Sequence, residues 1–336
     1  MTRVLIHAPN WLGDAVMALP AIRDVRRHFA DARLMVAARP SVAALFRVVP
    51  GIDEVVTIDN RTLPESVAGA DIGILLPNSF RSAWLLKQSG VKERWGYRSD
   101  FRGLLLTRRV RRPRKKVHFG EYYQSLVREL GIDTGALTPE LRVPPAKSDA
   151  AKTLLQARGW KPPHTLIALA PGAAFGHAKR WPPKRFAAVA DSLASDLGAA
   201  CVLLGREDDR DAGTALEASI DSKTAACVIN LIGQTDLPML MGVLSHCRAL
   251  VANDSGALHL AAAMGIPVTA IYGPTDERYS LPLTSSTSSR ESVHAIFHQV
   301  FCRPCGLRDC PIDHRCMKRI SPEQVFESVR QQLQKQ

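Results

Sequence analysis

The chain has 336 residues, 46% of them hydrophobic and 23% charged, the makeup of an ordinary globular protein with room for two substantial cores. No apolar run reaches the roughly 20 residues that span a bilayer, and no basic segment followed by an apolar signal core opens the chain, so a cytoplasmic protein is expected. A formal net charge of +12 and a pI of about 9.6 call for a polyanionic partner: nucleic acid, an anionic membrane surface or a phosphorylated substrate.

Short apolar strands alternate with helical stretches, the pattern of parallel sheets built from βαβ units. In the first half strands are expected near 3–8, 33–38, 54–58 and 71–76, with helices near 14–29, 41–48 and 80–88. A basic loop follows. From Arg94 to Lys116 ten basic residues (Arg94, Arg98, Arg102, Arg108, Arg109, Arg111, Arg112, Arg114, Lys115 and Lys116) stand against one acid, Asp100. A helix is expected around 119–130, and "LRVPPAKSDA", with its paired prolines, reads as a linker or its approach.

The alternation restarts with "TLIALAPG", "AACVLLG", "AACVIN", "RALVAND" and "PVTAIYGP", which predict a second doubly wound sheet. The serine-rich "TSSTSSR", 284–290, reads as a mobile surface loop. Ser321, Pro322 and Gln324 form the signature of a capped terminal helix. The domains expected are 1–147 and 148–320, with a C-terminal helix at 321–336 packing back toward the first domain.

Seven cysteines in a chain with no secretory signature are not a disulfide framework. Cys201, Cys227 and Cys247 lie in or beside apolar segments and read as buried small hydrophobes. Cys302, Cys305, Cys310 and Cys316 cluster around His314 with a spacing that could hold zinc tetrahedrally. The paired C-x2-C of common zinc sites is missing, so reduced thiols packing a loop are the default.

Ligands of open α/β sheets gather beyond the carboxyl ends of the strands, where helix N-termini present free amides. Three stretches occupy such turns. In "HAPNWLGDAVMALPAIRDVRR" Gly13 permits a tight turn and Asp14 opens a helix; Asp14 is either an N-cap or a carboxylate at a cleft rim able to take a proton from a hydroxyl. No G-x-G-x-x-G dinucleotide fingerprint is present there. In "APGAAFGHAKRWPPKRF" Lys179 precedes a helix beginning near Pro183, a natural phosphate site, although a solvated lysine would give the same letters. In "NDSGALHLAAAMGIP" Asp254, Ser255 and Gly256 cap a small-residue helix, with His259 in its first turn and Gly265 allowing close approach; a packed histidine remains the plain alternative.

Together "NWLGDAVMALPA", "PGAAFGHAKRWP", "NDSGALHLAAAMGIPVTAIYGPTD" and the tail "CRPCGLRDCPIDHRCM" resemble, in order and over nearly the whole chain, the bacterial ADP-heptose:lipopolysaccharide heptosyltransferases. The wording of "NWLGDAVM" and "AKRWP" is nearer the branch that adds the second heptose of the inner core than the branch that adds the first heptose to Kdo. The resemblance implies a GT-B architecture, two Rossmann-like doubly wound parallel-sheet domains facing a central cleft. It also implies an inverting transfer that requires no cofactor or metal, with ADP-heptose as co-substrate.

Carried onto this chain, the resemblance makes Asp14 the general base and puts Lys179 on the diphosphate. The donor pocket would be lined by Ala174, Phe175, Asp254, Ser255, Gly256, Ala257 and His259, with Glu207, or else Asp208, at the ribose. The acceptor, a lipid A–Kdo–heptose at the cytoplasmic face of the inner membrane, would meet Asn10, Trp11, Gly13, Arg98, Arg108, Arg109, Arg111 and Arg112, the plain alternative for the basic run being a solvated loop that only keeps the protein soluble. Peripheral membrane association is part of that expectation. The rival from another class, a basic nucleic-acid-binding protein, rests on the charge alone, because Trp95, Tyr97 and Phe101 lie at one end of the basic run instead of interleaving with it.

Overall fold

Val4, Leu5 and Ile6 expose no surface, the environment that an unbroken apolar run demands of a strand covered on both faces. The computed structural model describes residues 1–59, 62–285 and 292–335. Two units are present, Met1–Arg142 and Val143–Gln336.

In chain order the first unit holds β1 (Arg3–His7), α1 (Leu12–Met17), α2 (Leu19–His28), β2 (Arg33–Ala38), α3 (Pro40–Phe46), β3 (Glu54–Thr57), β4 (Ile72–Leu75), α4 (Phe80–Gln88), β5 (Glu93–Tyr97), β6 (Arg108–Val110) and α5 (Phe119–Glu129). Its strands form one parallel sheet in the order β3-β2-β1-β4-β5-β6.

The second unit holds α6 (Pro145–Ala157), β7 (Leu166–Ala170), α7 (Pro183–Leu197), β8 (Ala200–Leu203), α8 (Arg210–Glu217), β9 (Val228–Asn230), α9 (Leu237–Leu244), β10 (Ala249–Asn253), α10 (Gly256–Ala263), β11 (Val268–Tyr272), α11 (Glu277–Ser280), β12 (Val293–Phe297), α12 (Arg315–Lys318) and α13 (Pro322–Gln334). Its sheet order, β12-β11-β10-β7-β8-β9, is the same winding as the first. Each unit therefore has the Rossmann strand order, with a switch point between β1 and β4 and another between β7 and β10. This is the α/β, GT-B-type pair of doubly wound sheets expected from the sequence.

Several local expectations are corrected. The helix expected over 14–29 starts two residues earlier and breaks at Ala18, because Pro20 has no N–H to continue the ladder. Gly13 is thus the second residue of α1 and has no left-handed φ; the tight turn assigned to it is not there. The basic run is not one loop: Trp95 pairs with Arg108 and Tyr97 with Val110 as β5 and β6. The paired prolines of the expected linker instead lead into α6, with Pro145 at a first-turn position where its missing N–H costs nothing. Helix α6 packs on α9 so closely that a Cβ at Gly242 would lie 2.4 Å from the Lys147 carbonyl oxygen, which moves the boundary to Arg142.

The terminal helix has the expected capping box of Ser321 and Gln324, and its buried face packs on the sheet of its own unit. Ser328 and Gln332 bond Thr269 of β11, and Val325 and Val329 join the second core. The stretch 284–290 lies mostly outside the described residues. Among the described residues no helix is long and apolar enough to cross a membrane.

Candidate active site

In the second unit the chemistry converges at the carboxyl ends of β7 and β10. The Lys179 ammonium lies 2.6 Å from Asp254 Oδ2, which also accepts from the Thr275 hydroxyl at 2.7 Å. His259 Nε2 faces the other carboxylate oxygen at 3.8 Å, an electrostatic contact too long for a hydrogen bond. Burial alone would raise the Asp254 carboxyl, yet the neighbouring His259 and the Lys179 ammonium outweigh it and hold the group well below its ordinary value of 3.8. Asp254 is a carboxylate at any physiological pH.

Around that pair the polar groups are not all spent. Ser255 holds the N-cap position of α10 but makes no side-chain capping bond, and its Oγ is buried without a partner, as is His259 Nδ1. The amides at the start of α10 are therefore flanked by two unmatched polar atoms and one ammonium, a combination suited to a bound anion. The Phe175 ring is in cation–π contact with Lys179 at 4.9 Å and with Arg308 at 5.1 Å.

Asn253 locks the switch point: it accepts from the Trp181 N–H at 3.0 Å and donates to the Pro171 carbonyl at 2.7 Å. Trp181 is fully buried and donates to the Ile320 carbonyl at 3.2 Å. Asp209 packs on the same loop, where it pairs with Arg180 at 3.3 Å and lies so near Gly172 that a Cβ there would meet its carboxylate at 2.2 Å. Only glycine fits.

Of the donor residues expected from the sequence, Lys179, Phe175, Asp254, Ser255 and His259 are brought together. Gly256 and Ala257 open α10 beside them, and Ala174 is exposed on the same loop. Glu207 and Asp208 are exposed and ion-paired with Arg210 and Arg206 respectively. The acid of that turn in contact with the loop is Asp209, which the sequence reading passed over, as it did Thr275, Asn253 and Arg180. A single polar residue at a strand end carries no pattern by itself, so only the fold reveals these four.

The cysteine tail braces this site. Arg308 and Ala178 bond through the backbone at 2.8 Å, His314 Nε2 meets the Ala178 carbonyl at 2.6 Å, and Arg303 donates to the Gly273 and Thr275 carbonyls. All seven cysteines are free thiols, and among the described residues no group of three or more His, Cys, Asp or Glu side chains is arranged to hold a metal ion. Cys302, Cys305, Cys310 and Cys316, the residues considered for zinc, are among these thiols. Cys316 is buried in the second core with Cys302 packed against that core, while Cys305 is exposed. The tail is held by Arg303, His314 and apolar packing.

In the first unit Asp14 sits half-buried in the first turn of α1, at the carboxyl end of β1, while the N-cap position falls to Trp11, whose side chain makes no capping bond. Asp14 is therefore not the N-cap. Burial, and after it the Asp14 charge, pushes the Tyr123 phenol well above its ordinary value. At the switch point of this sheet a small pocket, open to solvent, is lined by His7, Asn10, Arg39, Asp59, Ser79 and Arg81 among others. Trp11 is about half exposed.

Within the basic run Arg102 is fully buried, its Nε donating to the Tyr97 carbonyl at 2.9 Å and its Nη1 to Ser82 Oγ at 3.2 Å. Arg94 is tied to the Leu105 and Val91 carbonyls. Those two arginines serve the fold. Arg98, Arg108, Arg109, Arg111, Arg112, Arg114, Lys115 and Lys116 are exposed, and Arg108 lies 4.9 Å over the Trp95 ring.

Residues 61–305 match Glycosyltransferase family 9 (heptosyltransferase). The chain is similar to lipopolysaccharide heptosyltransferase 2 of Salmonella typhimurium, with 31% identity over 84% of this chain and 86% of the relative. It is also similar to lipooligosaccharide heptosyltransferase 2 of Haemophilus influenzae, with 27% identity over 85% and 87%. The solved structure of E. coli ADP-heptose lps heptosyltransferase II superposes with a TM-score of 0.84 at 26% identity, covering 99% of each chain. With residues 61–305 matching the family and a relative 31% identical over 84% of the chain, the chain belongs to glycosyltransferase family 9, the heptosyltransferases.

Proposed function

We propose that this enzyme moves a heptose from ADP-heptose to the first heptose of the lipopolysaccharide inner core, on a heptosyl-Kdo2-lipid A acceptor. The observation that carries the reading is the Lys179–Asp254 pair at the start of α10, where Ser255 Oγ and His259 Nδ1 are buried without partners. A diphosphate arriving there gains the α10 amides and an ammonium already positioned. As the sugar–phosphate bond breaks, these groups take up the charge that grows on ADP.

Displacement at the anomeric carbon with inversion needs one base, and Asp14 is the carboxylate proposed for it. It lies half-buried in a helix opening at the carboxyl end of β1, the usual ligand-facing edge of such a sheet. The acceptor hydroxyl would pass its proton to Asp14 as its oxygen attacks the anomeric carbon. Ala174, Phe175, Gly256 and Ala257 are proposed to line the donor site, with Glu207 at the ribose. Asn10, Trp11, Gly13, Arg98, Arg108, Arg109, Arg111 and Arg112 are proposed for the acceptor, whose carboxylates and phosphates suit the five exposed arginines among them.

Both curated relatives described above carry the name heptosyltransferase 2, which supports the second-heptose acceptor over the first-heptose one. Such an acceptor is lipid-anchored, so the enzyme would work peripherally at the cytoplasmic face of the inner membrane. The test is transfer from ADP-heptose to defined truncated acceptors. A product gaining one heptose on heptosyl-Kdo2-lipid A supports the reading; acceptance of Kdo2-lipid A alone makes it a first-heptose enzyme.

A further inference from the structure

We propose that the turn from Phe101 to Leu104 in the first unit is a membrane-docking tip, which inserts Phe101 and Leu104 into the headgroup region of an anionic lipid surface. The proposal takes its purpose from the lipid-anchored acceptor read above, while its evidence and its test stand apart from the transfer reaction.

Phe101 is 97% exposed and Leu104 87%. A lone exposed apolar residue means little, but this pair is held out at a cost. Asp100 and Phe101 have φ of 45° and 58°, the left-handed region that a bulky aromatic side chain rarely enters. Beneath the turn the next residue, Arg102, is fully buried and bonded to Tyr97, Pro77 and Ser82. Removing a guanidinium from water to clamp a turn whose neighbour projects into solvent stabilises the presentation of Phe101, not its burial.

The surroundings specify the partner. The turn packs against α4, whose outward face carries Phe80 and Trp84, stacked at 6.3 Å and nearly half exposed. Arg98 lies along the turn: a Cβ at Gly103 would be 3.5 Å from its Cγ, and its N–H bonds the Val110 carbonyl at 2.7 Å. From Val110 the chain leads directly into Arg111, Arg112, Arg114, Lys115 and Lys116, all exposed. An apolar tip amid cations, with Asp100 the one acid between Arg94 and Lys116, complements an anionic bilayer surface: the apolar side chains enter the interface and the arginines meet the headgroup phosphates.

The experiment is co-sedimentation of the full chain with vesicles free of lipopolysaccharide, made of phosphatidylethanolamine alone or with phosphatidylglycerol added. The wild type is expected to bind the phosphatidylglycerol vesicles and to lose that binding with salt. Phe101→Gly combined with Leu104→Ser should lower the partition at least about tenfold, and Arg98→Gln or Arg109→Gln roughly fivefold each. Phe101→Gly alone relieves the left-handed strain, so its melting temperature should not fall below that of the wild type, which separates lost docking from lost folding. Ile312→Ser, which changes an exposed apolar residue of the second unit, should bind as the wild type does. Wild-type partition in the Phe101→Gly/Leu104→Ser variant, or no binding of the wild type to phosphatidylglycerol vesicles, overturns the proposal. In the former case a protein partner becomes the occupant to seek.

Discussion

Lys179 and Asp254 form a 2.6 Å ion pair that leaves 13% of the lysine side chain and 5% of the aspartate side chain exposed. A charged pair this buried is costly to break from either side. Part of the lysine's charge is spent on Asp254 before any ligand arrives, so a diphosphate must share the ammonium with the carboxylate.

Lys179→Ala is therefore expected to act twice. Donor KM should rise and kcat should fall, because the ammonium opposes charge that grows in the transition state. The fold should also lose about 3 kcal/mol, since Asp254 keeps Thr275 but loses its cation. Denaturant unfolding beside steady-state kinetics checks both; normal donor kinetics would remove Lys179 from the site.

Asp14→Asn should leave donor binding nearly unchanged and lower kcat by about 10²–10⁴-fold, the range for loss of a general base. Unfolding in denaturant, measured beside turnover, separates loss of the base from loss of fold stability. Retained wild-type turnover would exclude the role.

His7 supplies a pH test. Burial, followed by the Arg102 and Arg39 charges, lowers its imidazole from 6.5 to about 4, so the native protein keeps it neutral while the unfolded chain binds a proton. Stability should fall as pH drops from 6.5 toward 4, by up to about 1.4 kcal/mol per pH unit from this one group. His7→Gln should flatten that part of the curve in urea titrations; an unchanged slope would show that His7 is not held neutral.

Neutralising Arg108, Arg109, Arg111 and Arg112 together should raise KM for a soluble, acyl-free acceptor and reduce the salt dependence of activity, with screening set by a Debye length of about 8–10 Å. Donor KM should hardly move, since Lys179 and Asp254 belong to the other unit. If acceptor KM and the salt slope stay fixed while vesicle binding is lost, these cations serve docking alone.

Both sheets were legible in the sequence because their central strands are continuous apolar runs, "RVLI" and "TLIALA" among them. The edges were not. Strand β6 is "RRV", three residues whose arginines point to solvent, and nothing in its composition separates it from a loop. Helix α6 was hidden by prolines that break helices in their interiors yet suit their first turn. At the site the same contrast holds: Lys179, Asp254 and His259 stand in compact motifs, whereas Thr275 reaches Asp254, and Asp209 reaches Arg180, only through the crossing of the chain. Net charge overstates the cations open to a partner, because Arg94 and Arg102 hold backbone carbonyls inside the fold.

The most direct measurement is mass analysis of the product after incubating the purified chain with ADP-heptose and, separately, heptosyl-Kdo2-lipid A or Kdo2-lipid A. Gain of one heptose on the first acceptor, little gain on the second, and loss of that gain in Asp14→Asn are the expected results. Transfer to Kdo2-lipid A in preference to the heptosylated acceptor, or no transfer to either while ADP-heptose stays intact, would contradict the proposed reaction.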